Sequence, residues 1–332
     1  MKPAAPVPRQ THQTRMFWLV LGLTPVLLGL CVLMGAAGIG LPDWTTQPVI
    51  LRLRLTRVLA GFLIGAALSC AGVVLQAILR NPLAEPYVLG VSSGAGLGAA
   101  VAILTGFSAL GAFSVPLSSF VLAVLTLLTV YRLAGPGGSR PSVFGLILSG
   151  VMVSSVCSSL LMFLVSVAPI EGMHSVIWWT LGNLEVTSDA LLAVGGGISA
   201  AGCLAIWALS PELNAITLGH EMAHHLGVRV KVIVAVALGL ATLITAASVA
   251  VAGLIGFVGL LVPHVMRTLV GPDHRRLVPA AALGGGAFLA VCDAVARTAL
   301  NVEIPVGVVT ALIGGPFFLF LLHRRRKAGG LE

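Results

Sequence analysis

Apolar runs of about 20 residues recur along the chain, near 16–36, 57–79, 88–107, 112–133, 143–167, 190–209, 279–299 and 305–322. A helix of that length covers the ~30 Å hydrocarbon core of a bilayer. Only 9% of the 332 residues are charged and 58% are hydrophobic, whereas soluble domains carry about 25% charge. No single core of this length buries so much apolar surface, so lipid must cover the remainder. The chain is therefore an all-α polytopic membrane protein, and 1–332 reads as a single transmembrane domain with no separate soluble unit. The first run follows basic residues but is longer than the roughly 7–15 apolar residues of a signal peptide. It reads as a retained span after an N-terminal tail, 1–15.

The stretch from Val232 to Val262 is too long for one straight span and too short for two full ones. Basic residues settle how it is used. If it crosses twice, through a short or broken helix around Gly253, Gly256 and Gly259, about ten spans result and both termini are cytoplasmic. The inner side then holds Lys2, Arg9, Arg15, Arg80, Arg132, Arg140, Arg229, Lys231, Arg267, Arg275, Arg276 and the run Arg324 to Lys327, 15 of the 19 basic residues. Only Arg52, Arg54, Arg57 and Arg297 fall outside, as the positive-inside rule favours. The net charge of +8 thus serves topology and gives no face for nucleic acid. Each of the five cysteines sits in an apolar segment without CxxC, the pattern of small buried residues rather than disulfides or metal ligands. Glycines at small-xxx-small spacing (Gly61/Gly65, Gly90/Gly94, Gly94/Gly98) predict close helix contacts in lipid.

Five polar stretches interrupt the apolar chain. They contain, in order, Arg54 and Arg57; RNPLAEP followed by LGVSSGA; LGHEMAHHLGV; GFVGLLVPHVMR with GPDHRRLVP; and DAVART with EIPVGVVTALIGGPFF. Together they resemble the permease family of ATP-binding-cassette importers for ferric siderophores, haem and cobalamin, over roughly residues 50–322. The resemblance implies a bacterial inner-membrane permease that works as a dimer, with two ATPase subunits and a periplasmic substrate-binding protein. The chain has no GxxxxGK[ST] loop, so ATP and magnesium are expected on the partner ATPase, no cofactor on this chain, and no catalytic residue.

Residue by residue, the resemblance makes 213–228 the cytoplasmic segment that couples to the ATPase, with Leu218, Gly219, His220, Glu221, His224, Leu226 and Gly227 at its heart. Arg54, Arg57 and Arg297 are implied to dock the binding protein. Snorkelling to headgroups and an i,i+4 pair between Asp293 and Arg297 are alternative readings of the same arginines. Gly90, Ser92, Ser93 and Gly94 are assigned to the translocation path or to its helix contacts. His264 and Arg267, on one helix face after Pro263, read as a polar cluster near the inner surface. Trp178 and Trp179, in the long outer segment Glu171 to Asp189, mark an interface.

Two rival classes compete. His220-Glu221-Met222-Ala223-His224 satisfies HExxH, which on a helix places two zinc ligands on one face with a glutamate to activate water. His225 or His274 could supply a third ligand to such a membrane zinc protease. Against it, Gly227 ends the segment at once, and the motif lies outside the apolar spans. An ion-coupled secondary transporter would need ionisable groups at mid-membrane, and apart from Asp293 the spans offer almost none.

Overall fold

The structure is a computed structural model that describes residues 9–35, 38–40, 48–135, 143–185, 188–300 and 302–327. Lys2, Arg140 and most of the tail at 1–8 lie outside these residues. Thirteen helices are described: α1 (Arg9–Leu33), α2 (Pro48–Ile78), α3 (Val91–Leu104), α4 (Ser114–Ala134), α5 (Val143–Val167), α6 (Ile170–Thr180), α7 (Asp189–Ala208), α8 (Ser210–Thr217), α9 (His220–His225), α10 (Val230–Ala252), α11 (Val258–Val270), α12 (His274–Thr298) and α13 (Val306–Lys327). A two-residue antiparallel ladder, Met34–Gly35 with Gly38–Ile39, follows α1. Among the described residues seven helices are long and apolar enough to cross a bilayer, and 91–104, 258–270 and 306–321 are shorter apolar helices.

The helix α2 is the axis. In its most apolar window 83% of residues are buried inside the fold, against 11% for α5. A helix that is apolar all round must be covered by lipid or by other helices, and α12, α10, α11 and α7 cover α2 here. Its small residues permit the approach. A Cβ at Gly72 would collide with the carbonyl of Gly259 in α11, so glycine alone allows that backbone contact. The same logic brings Gly65 onto Gly285 of α12, while Gly94 and Gly98 of α3 face Thr126 and Ser118 of α4.

Several boundaries differ from the sequence reading, among them the start of α1, at Arg9 rather than near 16. The second span begins at Pro48 rather than near 57, which puts Arg52, Arg54 and Arg57 within α2. The third begins only at Val91, because Pro86–Leu89 forms a 3-10 turn that Gly90 ends with φ 80°. The span expected at 279–299 begins at His274, with Asp273 as its N-cap. The long 232–262 stretch is broken: α10 stops at Ala252 and α11 starts at Val258.

Candidate translocation and coupling site

The break between α10 and α11 is made by backbone that no ordinary residue tolerates. Gly253 has φ 70° and ψ −159°, a region essentially confined to glycine, and a Cβ there would strike the Trp179 carbonyl. Phe257 also sits at positive φ, 68°. Unwound backbone inside a membrane protein must find partners, and the RNPLAEPY stretch supplies them. Glu85 Oε1 accepts from the Phe257 amide at 2.5 Å, and Tyr87 Oη donates to the Ile255 carbonyl and accepts from its amide, both at 2.9 Å. Two short helices, α3 and α11, therefore start where two non-helical segments hold each other. Beside this junction Ser93 Oγ donates to the Gly90 carbonyl, and Ser92 is half-buried. Gln76 bridges α2 and α11, donating to the Gly259 and Leu260 carbonyls and accepting from Arg267 Nη1 at 2.9 Å. Arg267, expected with His264 in a polar cluster, is thus bound to Gln76, and the His264 ring meets the Phe317 ring edge-on.

At one end of the bundle the segment 213–228 folds as two helices, α8 and α9, rather than one. The chain turns at Leu218 and Gly219 (φ 114°). Ala223 faces down onto Ile216, Val230 and Ile233. Three large apolar side chains of this segment are exposed: Leu218 at the end of α8 (67%), Met222 within α9 (52%) and Leu226 at the α9 C-cap (61%). Glu221, His224 and His225 are exposed too, and Gly227 ends the segment at φ 82°. The His220 side chain lies outside the described residues. Among the described residues no group of three His, Cys, Asp or Glu side chains could hold a metal ion. His274, named above as a third ligand, is buried and bound to Asn214.

That bond belongs to a joint between α8 and the start of α12. Asn214 Nδ2 donates to Asp273 Oδ1 at 2.7 Å, and Asn214 Oδ1 accepts from the His274 amide at 2.9 Å and lies 2.7 Å from His274 Nδ1. Trp207 Nε1 adds a bond to the Arg275 carbonyl. Partial burial would raise the Asp273 carboxyl, but the bonds from Asn214 and the Arg275 amide, with the charges of Arg275 and Arg276, outweigh it and hold the group below the usual range. Asn214, Met222, Glu85 and Tyr87 were not singled out from the sequence as site residues. For Met222 the available signal was a large apolar residue standing in an otherwise polar loop.

At the other end, Arg57 and Arg297 share Asp293, Arg54 and Arg297 both bind carbonyls of the segment after α1, and Arg52 stands apart. Arg54 is 7% exposed and donates to the carbonyls of Gly40 (2.7 Å), Leu33, Val32 and Gly38, fastening the strand hairpin. A Cβ at Gly35 would collide with its guanidinium. Asp293, buried in α12, lies 2.9 Å from Arg297 Nε and 3.4 Å from Arg57 Nη2. Arg57 also grips Glu303 at 3.0 Å, Arg297 donates to the Met34 carbonyl, and exposed Arg52 pairs with Asp189. The i,i+4 pair is thus formed, and Arg54 and Arg297 turn inward in this conformation.

Comparison with known proteins places this arrangement. The model of the FecCD transport family matches residues 17–324. The cobalamin import system permease protein BtuC of Halobacterium salinarum is 41% identical over 286 residues, covering 86% of this chain and 76% of the relative. The hemin transport system permease protein HmuU of Yersinia pestis is 35% identical over 326 residues, covering 93% and 96%. A solved structure described as a metal-chelate type ABC transporter in an inward-facing conformation superposes with TM-score 0.84 at 31% identity, covering 94% of this chain and 99% of that one. The chain belongs to the FecCD transport family.

Proposed function

We propose that this chain is the permease subunit of an ATP-driven importer that passes a metal chelate, such as a ferric siderophore, haem or cobalamin, across the bacterial inner membrane. The observation that carries the reading is the exposed apolar set Leu218, Met222 and Leu226, on and around the short helix α9, whose neighbour α8 is bonded to the first turn of α12. A short segment that exposes three large apolar side chains at one end of a bundle is suited to seat in a groove of another protein, here the ATPase that carries ATP and magnesium. The seven long helices and three short ones support ten crossings with both termini cytoplasmic. The sparse burial of α5 leaves a face for a second copy, and family relatives named for cobalamin and hemin support the cargo class.

In this reading ATP binding draws the two ATPases together and moves α9. The Asn214 joint passes that motion to α12, and the unwound junction at 253–257 lets α10 and α11 change angle. Gly90, Ser92, Ser93 and Gly94 stand at the start of α3 beside that junction and would border the path. At the far end Arg57 holds an exposed acidic partner, Glu303, whereas Arg297 is paired with the buried Asp293. A binding protein's carboxylates would displace Glu303, while Arg54 and Arg297 hold the docking rim in shape. The chain itself performs no covalent step. Mass spectrometry of the tagged permease purified gently from its native membrane tests the proposal. It predicts an ABC-type ATPase at near equal stoichiometry. Tightly bound zinc without an ATPase would reject it in favour of chemistry at His220 and His224.

A further inference from the structure

Helices α4 and α7 both rest on α10, and the space between them is a continuous groove at the end of the bundle opposite α9. The upper half is a cavity of about 480 Å³ and the lower half a cavity of about 210 Å³, and the two share Pro116, Leu191, Ala250 and Val251 as walls. The lower half is lined by apolar residues alone, Phe113, Leu117 and Phe120 from α4 and Val194 and Ile198 from α7 among them. Gly195 deepens it, since a Cβ there would meet Val251. The upper half changes character: Ser108, Ser175, Trp178, Asn183 and Glu185 border it.

A groove parallel to spanning helices, apolar along its length and polar at one mouth beside a tryptophan, matches a molecule lying with its chains in the hydrocarbon and its head at the interface. The sign of the head follows from Glu185. It is the one charged residue lining the groove, it is exposed, and among the described residues it has no ion-pair partner. Its backbone amide donates to Asn183 Oδ1 at 2.8 Å, which holds the Glu185 backbone at the mouth of the groove. A carboxylate repels an anionic headgroup, and an ammonium that still carries hydrogens can donate to it where a quaternary one cannot.

We propose that this groove is a specific site for a phospholipid with a primary-amine headgroup, its ammonium at Glu185 and an acyl chain along α10 between α4 and α7. The site is independent of the importer reading, because it needs only that the chain span a membrane.

Native mass spectrometry of the full-length protein, delipidated and then titrated with phosphatidylethanolamine, phosphatidylcholine or phosphatidylglycerol, tests it. The amine lipid is expected to be retained in preference to the other two. Glu185→Gln, an exposed substitution that leaves the fold intact, should cut that preference roughly three- to five-fold, the worth of an exposed ion pair. Ile198→Trp, which fills the lower groove, should remove the retained lipid while Glu185→Gln preserves its chain contacts. Equal retention of all three lipids with no effect of Glu185→Gln would overturn the proposal. So would an Ile198→Trp protein that keeps its lipid and loses its dimer, since the groove would then be covered by a second copy.

Discussion

Asp293→Ala should be among the most damaging single substitutions in this chain. The carboxylate is 1% exposed and is the acid facing Arg297, itself 4% exposed. Arg57 loses little, because it keeps Glu303 and is partly solvated. Arg297 loses its charge partner at 2.9 Å and keeps only carbonyls, those of Met34 and Asp293 itself. Removing one member of a buried pair costs about 3–5 kcal/mol, since the surviving charge stays desolvated. Replacing both members with apolar groups costs far less, so Asp293→Ala with Arg297→Met should recover most of the loss. Denaturant titration of the purified protein in mixed micelles, run as a double-mutant cycle, should give a coupling of at least about 2 kcal/mol. An Asp293→Ala protein within about 1 kcal/mol of wild type, or a double mutant as unstable as the sum of the singles, would refute the reasoning.

Three further outcomes follow from the geometry. Gly253→Ala forces a side chain into a backbone region that costs about 1–3 kcal/mol and against the Trp179 carbonyl. It should abolish substrate uptake while the protein still inserts, as surface labelling would report. Asn214→Ala removes the bonds to Asp273 and His274, about 1–3 kcal/mol for the groups left unpaired. ATP hydrolysis by the purified complex should persist while uptake per ATP falls several-fold. Met222→Asp places a charge on α9 among the exposed apolar residues of the segment, and the ATPase should no longer co-purify, with the thermal stability of the permease unchanged.

Much of this architecture is legible in the residues, and the reasons are physical. Apolar runs near 20 residues locate the long helices because lipid imposes that length. The 31-residue stretch ending at Val262 could not be one straight span, and Gly253 and Gly256 do lie in the observed break. The pairing of Asp293 with Arg297 was readable from i,i+4 spacing. What holds the break open was not. Glu85 and Tyr87 lie about 170 positions from the backbone groups they bind, and nothing local to either segment announces the contact. The inward turn of Arg54 was hidden for the same reason. Its partners are carbonyls of a hairpin that has no side-chain signature, so an arginine at a span end looked like a surface residue. The joint at Asn214 escaped notice because asparagine ahead of a turn usually bonds its own backbone, whereas here it reaches 60 residues along the chain.

The central claim, that this chain is the membrane path of an ATP-driven chelate importer, is tested most directly by transport. The complex isolated through the tagged permease would be reconstituted into sealed vesicles. Cyanocobalamin, hemin and a ferric siderophore would then be offered with the co-purifying binding protein. Accumulation of one of these inside the vesicles is predicted, strictly dependent on ATP and lost with Met222→Asp. Accumulation that is indifferent to ATP but follows an imposed ion gradient would contradict the account.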